Sequence, residues 1–369
     1  MNIRNKEKLV EFIKKECILM IALSLAVITS FLYMPKIEYI DFKTLILLFN
    51  LMIIVSGFKQ LKVLDYIAVK ISSRCTSCRN LSIALVFITF ISSMIVTNDV
   101  ALLTFVPITL IIGEKLGLDV IKIVIFQTLA ANLGSSLTPM GNPQNLFLYT
   151  YYNISPTYFF KITGPIAVLA ILFLIGIIRM TKDTYIKVKL KEVKIESKNK
   201  IFVYSLLLFL VLLSVFHILD YRISFIFTIA VIAVLDKNLF GRVDYSLLIT
   251  FVGFFIFVGN ISNSPVIENF MKNMLNDESK TYFTGIVASQ FISNVPAAML
   301  LSGFTSHFRE LLLGVNVGGM GTLIASMASV ISYKLYCNQV EDNGKKYLKI
   351  FMYYNLIGLI LFSAAIKIL

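Results

Sequence analysis

Long stretches without charge recur along the whole of this 369-residue chain, and they constrain its fold more than any other feature. They run from 17 to 35, 44 to 58, 80 to 113, 123 to 160, 162 to 178, 201 to 219, 223 to 235, 245 to 267, 281 to 308, 311 to 333 and 350 to 366, with Asp99 the one acid in the third. Most match the roughly 20 residues that carry a helix across about 30 Å of hydrocarbon. Apolar residues make up 57% of the chain and charged residues only 15%, against about 25% in soluble domains. No aqueous core could hide that much apolar surface. Inside a bilayer each backbone N–H and C=O must find a partner within the protein, which makes the spanning segments helices. The chain reads as an all-α polytopic membrane protein.

Three runs break the pattern. The stretch 123 to 160 is too long for one crossing, and 80 to 113 and 281 to 308 each have room for two half-helices meeting at a polar tip. Those tips are Thr97-Asn98-Asp99 and Ser293-Asn294-Val295-Pro296, with Pro296 suited to the first turn of a returning helix. In the long run, "ANLGSSLTPMGNPQN" (131 to 145) carries Gly134, Pro139, Gly141 and Pro143 and cannot stay helical. Irregular backbone at membrane depth survives only where protein buries it or where it lines a wet cavity.

Basic residues set the orientation. If the N-terminus is cytoplasmic and the two tips belong to re-entrant hairpins, 26 of the 34 Lys and Arg fall in cytoplasmic segments. That gives about nine transmembrane helices plus two hairpins, N-terminus inside and C-terminus outside. Residues 1–16 read as an amphipathic helix on the cytoplasmic surface. A first repeat covers 17–179, with spans 17–35 and 40–58, hairpin 80–113, broken span 123–150 and span 157–178. A basic solvated linker follows at 180–200. The second repeat, 201–369, has spans 201–217, 222–236 and 245–262, hairpin 281–308, broken span 310–334 and span 348–367. The net charge of +13 is thereby placed at the cytoplasmic face, which argues for anionic lipid and against nucleic acid as its partner. Cys75 and Cys78 form a CxxC with no second pair or nearby His to complete a metal site, and His217 and His307 fall at span ends.

The two halves echo each other. Phe49 and Gly57 fall on Phe251 and Gly259, Thr97-Asn98 on Ser293-Asn294, and Asn132 and Gly134 on Asn316 and Gly318. By the charge count the hairpins enter from opposite sides, so the repeats are inverted, the arrangement of alternating-access carriers. Two tips and two broken spans supply four helix ends to one place, where open N–H groups favour anions and unwound carbonyls with amide and hydroxyl oxygens suit Na⁺ or a neutral ligand. The candidate binding residues are Thr97, Asn98, Asp99, Asn132, Ser135, Ser136, Thr138, Gly141, Asn142 and Asn145 in the first half, and Ser293, Asn294, Asn316, Gly318, Gly319, Gly321 and Thr322 in the second. No Lys or Arg stands among them. The second-half glycines read equally as close helix contacts. Asp99 reads as a cation ligand or proton carrier, or alternatively as the cap of the returning half-helix.

The pairing of "TNDVALLTFVPITL" and "ANLGSSLTPMGNPQNLFLY" with "SNVPAAMLL" and "VNVGGMGTLIAS" resembles the ion transporter superfamily, which includes divalent-anion/sodium symporters, citrate carriers, arsenite permeases and a class of sodium/proton antiporters. The likeness covers nearly the whole chain from about residue 40 and is nearest to the arsenite-permease-like, anion-permease branch. It implies a dimerising scaffold, a transport domain moving as an elevator, and a site at the tips Thr97-Asn98 and Ser293-Asn294 facing Asn142 and Thr322. The third tip positions, Asp99 and Val295, depart from the Ser-Asn-Thr similar to dicarboxylate symporters. The expectation is a secondary active transporter of the cell membrane, moving an inorganic oxyanion, arsenite or a di- or tricarboxylate, coupled to H⁺ or Na⁺. It would be a homodimer with no cofactor beyond a bound Na⁺. A sodium/proton antiporter using Asp99 is the alternative. The sequence holds no HExxH, GxSxG or P-loop, so no enzyme activity is expected from it.

Overall fold

A computed structural model describes residues 16–186, 192–340 and 344–366. The expected surface helix at 1–16 therefore lies almost wholly outside the described residues. Seventeen α-helices and no strand are present among them, with one isolated antiparallel bridge, Ser77 to Tyr185. In chain order the helices are α1 (Cys17–Ser30), α2 (Phe42–Gln60), α3 (Val63–Ser72), α4 (Cys78–Val96), α5 (Asn98–Leu116), α6 (Ile121–Ser135), α7 (Pro143–Tyr151), α8 (Pro156–Arg179), α9 (Lys198–Val215), α10 (Tyr221–Leu235), α11 (Tyr245–Ile261), α12 (Pro265–Met274), α13 (Glu278–Ile292), α14 (Asn294–Ser302), α15 (Phe308–Gly318), α16 (Met327–Gln339) and α17 (Gly344–Ile366).

Local chemistry explains most of the starts. Asp41, Ser77, Ser155, Ser197, Asp220, Asp244 and Asp277 each accept a hydrogen bond from a first-turn N–H of the helix that follows, the N-cap role of short polar side chains. Five helices, α2, α4, α8, α9 and α17, are long and apolar enough to cross a bilayer, and the α11–α12 pair, bent by 104°, makes a sixth. Nine crossings were expected; the difference comes from helices such as α1, α6 and α10, which are apolar but fall short of a full span. The arms of the first hairpin are longer than half-helices: α4 and α5 have 19 residues each, whereas α13 and α14 have 15 and 9. At 1.5 Å per residue α4 alone is about 28 Å long, and it is one of the five.

Two helix groups position the site. In one, α1 packs along α11, and α2 takes α9 and α10. In the other, α4 packs along α6 and α13 along α15, while the halves interlock: α7 lies on α14 and α16 on α5. The linker is less free than expected. Its start docks on the loop before α4, with the Cys78 N–H donating to Thr184 O (2.9 Å) and the Arg79 guanidinium donating to Thr181 O (3.0 Å).

Candidate functional site

Both hairpin turns close on a residue forced into the same rare backbone state. Thr97 has φ 73° and ψ 153°, and Ser293 has φ 72° and ψ 153°. That region is essentially reserved for glycine, and holding another residue there costs about 1–3 kcal/mol. Neither side chain caps the helix it precedes. Asp99 does not cap either: it sits in the first turn of α5, with Thr97 at the N-cap position, and its carboxylate accepts no hydrogen bond among the described residues.

Both expected breaks are present. The first lies between α6 and α7, at residues 136–142; the second lies between α15 and α16, at residues 319–326, and includes a 3-10 turn, Leu323–Ala325. The breaks and the tips meet at one cavity of about 310 Å³. First-turn residues of four helices line it: Asn98 and Asp99 of α5, Pro143 and Gln144 of α7, Asn294, Val295 and Pro296 of α14, and Met327 of α16. Each helix start carries roughly half a positive charge on unpaired N–H groups. Asn142 caps α7 by accepting from the Asn145 N–H at 2.8 Å, but the side chains of Thr97, Ser293 and Ser326 accept no such bond from α5, α14 and α16. Two polar atoms on the wall stand without partners among the described residues, Ser293 Oγ and Gln144 Oε1, on side chains only 1% and 2% exposed. Buried polar groups are otherwise almost always paired, so an orphan facing a cavity marks a place where a ligand or water completes the set.

Of the residues expected at the site, Asn98, Asp99, Ser293 and Asn294 line the cavity. The others stand behind it and hold the broken backbone. Asn145 Nδ2 donates to the carbonyls of Ser135, Ser136 and Thr138 at 3.1–3.3 Å. Asn142 Nδ2 donates to Ser135 Oγ and to Asn316 Oδ1, and Asn316 Nδ2 donates to Asn145 Oδ1 at 2.7 Å. Asn132 takes the mirrored part, accepting from Asn98 Nδ2 (3.3 Å) and Ser326 Oγ (3.0 Å) and donating to Gly319 O and Ser329 Oγ. Thr138 Oγ1 donates to Met94 O, and the Gly141 carbonyl accepts from the Asn98 N–H. Ser136 Oγ turns back to Leu133 O. Gly318 faces Ser289, Gly319 lies against Asn294, and Gly321, at φ 108°, lies against the end of Gln290. Thr322 bonds Gln290 through both its N–H and its hydroxyl.

Several wall residues were not foreseen. Gln144 lies within the flagged segment beside two amides that were chosen, and its proline neighbour was the available signal. Ser326 closes the quoted segment "VNVGGMGTLIAS" but was not chosen, while Asp244, Ser246 and Thr250 lie at the start of α11 outside the segments singled out for binding. A basic group, Lys334, also lines the cavity, together with the acids Glu16 and Asp244. The candidate residues themselves include no Lys or Arg, but α16 reaches far enough past its start to bring Lys334 to the cavity wall. No cluster of three or more metal-ligating side chains occurs among the described residues.

A helical membrane body with one cavity at the meeting point of four helix starts is the architecture of a membrane transporter, and comparison with known proteins bears on which kind. The citrate transporter family profile matches residues 9–328, so the chain belongs to that family. It is 37% identical over 306 residues to an uncharacterized transporter of Methanocaldococcus jannaschii, covering 82% of this chain and 83% of that one. It is 30% identical over 300 residues to the inner membrane protein YbiR of Escherichia coli, covering 80% of each. A shorter match, 35% over 114 residues, links it to the human P protein, across 30% of this chain and 14% of that protein.

Proposed function

We propose that this protein is a secondary active transporter that moves a small anion, an inorganic oxyanion, arsenite or a di- or tricarboxylate, across the cell membrane in exchange for energy from an H⁺ or Na⁺ gradient. The observation that carries this reading is the convergence of α5, α7, α14 and α16 on one cavity, starts first, with Ser293 Oγ and Gln144 Oε1 left unpartnered there. Four partial positive ends converging on one cavity favour an anion without a fixed cation beside them. We read the two halves as inverted repeats; that they are copies of one unit is supported by the shared backbone conformation of the two tips and by Gly134 against Ser93 on α4 matching Gly318 against Ser289 on α13. The cavity separates α1 and α11, which contribute Leu19, Asp244, Leu247 and Thr250, from the interlocked hairpins and broken helices opposite. We assign the first group, with α2, α9 and α10, to a membrane-fixed and dimerising scaffold and the second to a body that travels as an elevator, with the cavity open here to the cytoplasm. Uptake into proteoliposomes of labelled citrate, phosphate and arsenite under imposed H⁺ or Na⁺ gradients tests the reading. Gradient-dependent flux of one of them is expected, and no flux of any overturns it.

A second reading, sodium/proton exchange, is favoured by one feature: two carboxylates, Asp99 and Asp244, line the same cavity. Dye-reported pH change on adding Na⁺ decides it, with Asp99→Asn expected to abolish the exchange.

A further inference from the structure

Three positions of α16 line the cavity, Met327, Val330 and Lys334. Their spacing of three and then four residues puts them on one face of the helix. Seven residues at 1.5 Å each place Lys334 about 10 Å from Met327 along the helix axis. Lys334 is exposed, and among the described residues it makes no ion pair and is the only basic side chain on the wall. The other charged side chains on the wall among the described residues are all carboxylates: Glu16 before α1, Asp244 at the start of α11, and Asp99 in the first turn of α5. Among the described residues, the wall without Lys334 would carry negative side-chain charge only.

We infer that Lys334 is the charge-selecting residue of the cavity mouth, raising the local concentration of anions there against the three carboxylates across from it. This deepens the anion-transport reading and rests on it. The ammonium acts through the field in the water-filled approach rather than by a fixed contact, as a charge lining a low-dielectric cleft does. It stays on the travelling side of the cavity while Glu16 and Asp244 stay on the scaffold side.

The test uses two small thiol reagents of opposite charge, an anionic and a cationic methanethiosulfonate, on a single cysteine. Val330→Cys is made with Cys17, Cys75, Cys78 and Cys337 replaced by Ser, and modification rates are read in inside-out membrane vesicles. A unit charge one helical turn from the thiol, acting through water with opposite sign on the two reagents, changes the anionic-to-cationic rate ratio about tenfold. Lys334→Gln is expected to lower that ratio by this amount and Lys334→Arg to keep it. Asp244→Asn, which preserves the helix cap, is expected to raise it, and high salt to collapse both shifts. A ratio unmoved by Lys334→Gln, shifts of the same sign in the Lys334 and Asp244 variants, or a Val330→Cys that no reagent reaches would each overturn the inference. Because the readout needs no transported substrate, an absence of flux in the liposome assay would sink the transport reading while leaving this result standing.

Discussion

The two broken spans solve one problem in different ways. The first break, 136–142, is closed mostly by its own segment, where Asn142 caps the next helix and Asn145 takes three carbonyls. Only the Asn98 N–H on the Gly141 carbonyl and the Thr163 hydroxyl on the Leu137 carbonyl come from other helices. Its residues are buried but for a half-buried Leu137 and Thr138. The second break, 319–326, leans on side chains from elsewhere. Gln290 of α13 donates to Gly318 O and Met320 O and accepts from the Thr322 N–H, while Asn132 of α6 donates to Gly319 O. Ile324 there is 58% exposed. A self-satisfied break is a rigid floor; one held by a neighbouring hairpin is coupled to that hairpin and yields when it shifts. The flexible half of the site is therefore expected around Ser293 and Gly321.

The sharpest way to break this contrast is at the glycines. A Cβ on Gly141 would sit 2.2 Å from the Ser135 carbonyl oxygen, which cannot move without opening the floor. Gly141→Ala should lose about 3 kcal/mol or more, read as a collapse of the thermal transition in detergent. At Gly321 the obstacle is the end of a flexible Gln290 side chain, and Gly321→Ala should fall well short of that loss despite its positive φ. Next come the amides. Asn145→Ala strands three buried carbonyls and should lose about 2–3 kcal/mol, whereas Gln290→Ala, in a wetter setting, should lose about 1 kcal/mol and slow transport more than it lowers the melting temperature. Equal losses in the two variants would erase the distinction between the breaks.

Ser293→Ala sharpens the comparison from the ligand side. It deletes a hydroxyl that bonds nothing, so stability should change by less than about 0.5 kcal/mol, while the thermal shift given by a transported anion should shrink. An unchanged shift would remove Ser293 from the binding set. The smallest effect is expected where the linker docks. The Arg79 backbone N–H holds the Asp183 carboxyl below its ordinary range, helped by Ser77 and the Arg79 charge. A depressed carboxylate stabilises the docked state at neutral pH and loses that contribution as pH falls below about 4, so amide exchange in 181–186 should rise there and Asp183→Asn should blunt the rise.

Much of the site was legible because interrupting a membrane helix demands conspicuous residues. Pro143, Gly141 and a cluster of amides in an uncharged stretch announce a break, and Thr97-Asn98 and Ser293-Asn294 stand out inside apolar runs. What the letters could not show was direction. Gln144 and Asn145 are adjacent and chemically alike, yet one faces the cavity and the other holds backbone carbonyls. Successive helical residues point about 100° apart, and which of the two meets the cavity depends on where α14 and α15 lie. Asp244 was hidden for another reason. It reads as an ordinary cap at a helix start, and only the packing of α11 across the cavity turns it toward Asp99.

By itself the sequence determined that the chain is helical and membrane-embedded, because uncharged runs of that length admit no other way to pair the backbone in hydrocarbon. It also determined where the helices must break, since proline removes a donor and glycine and amides stabilise the turn. Tertiary structure alone decided that four helix starts share one cavity, that Ser293 and Gln144 on its wall keep unpartnered polar atoms, and that Lys334, Glu16 and Asp244 line it too. Those outcomes depend on helices distant in the chain crossing one another, and no local pattern encodes a crossing.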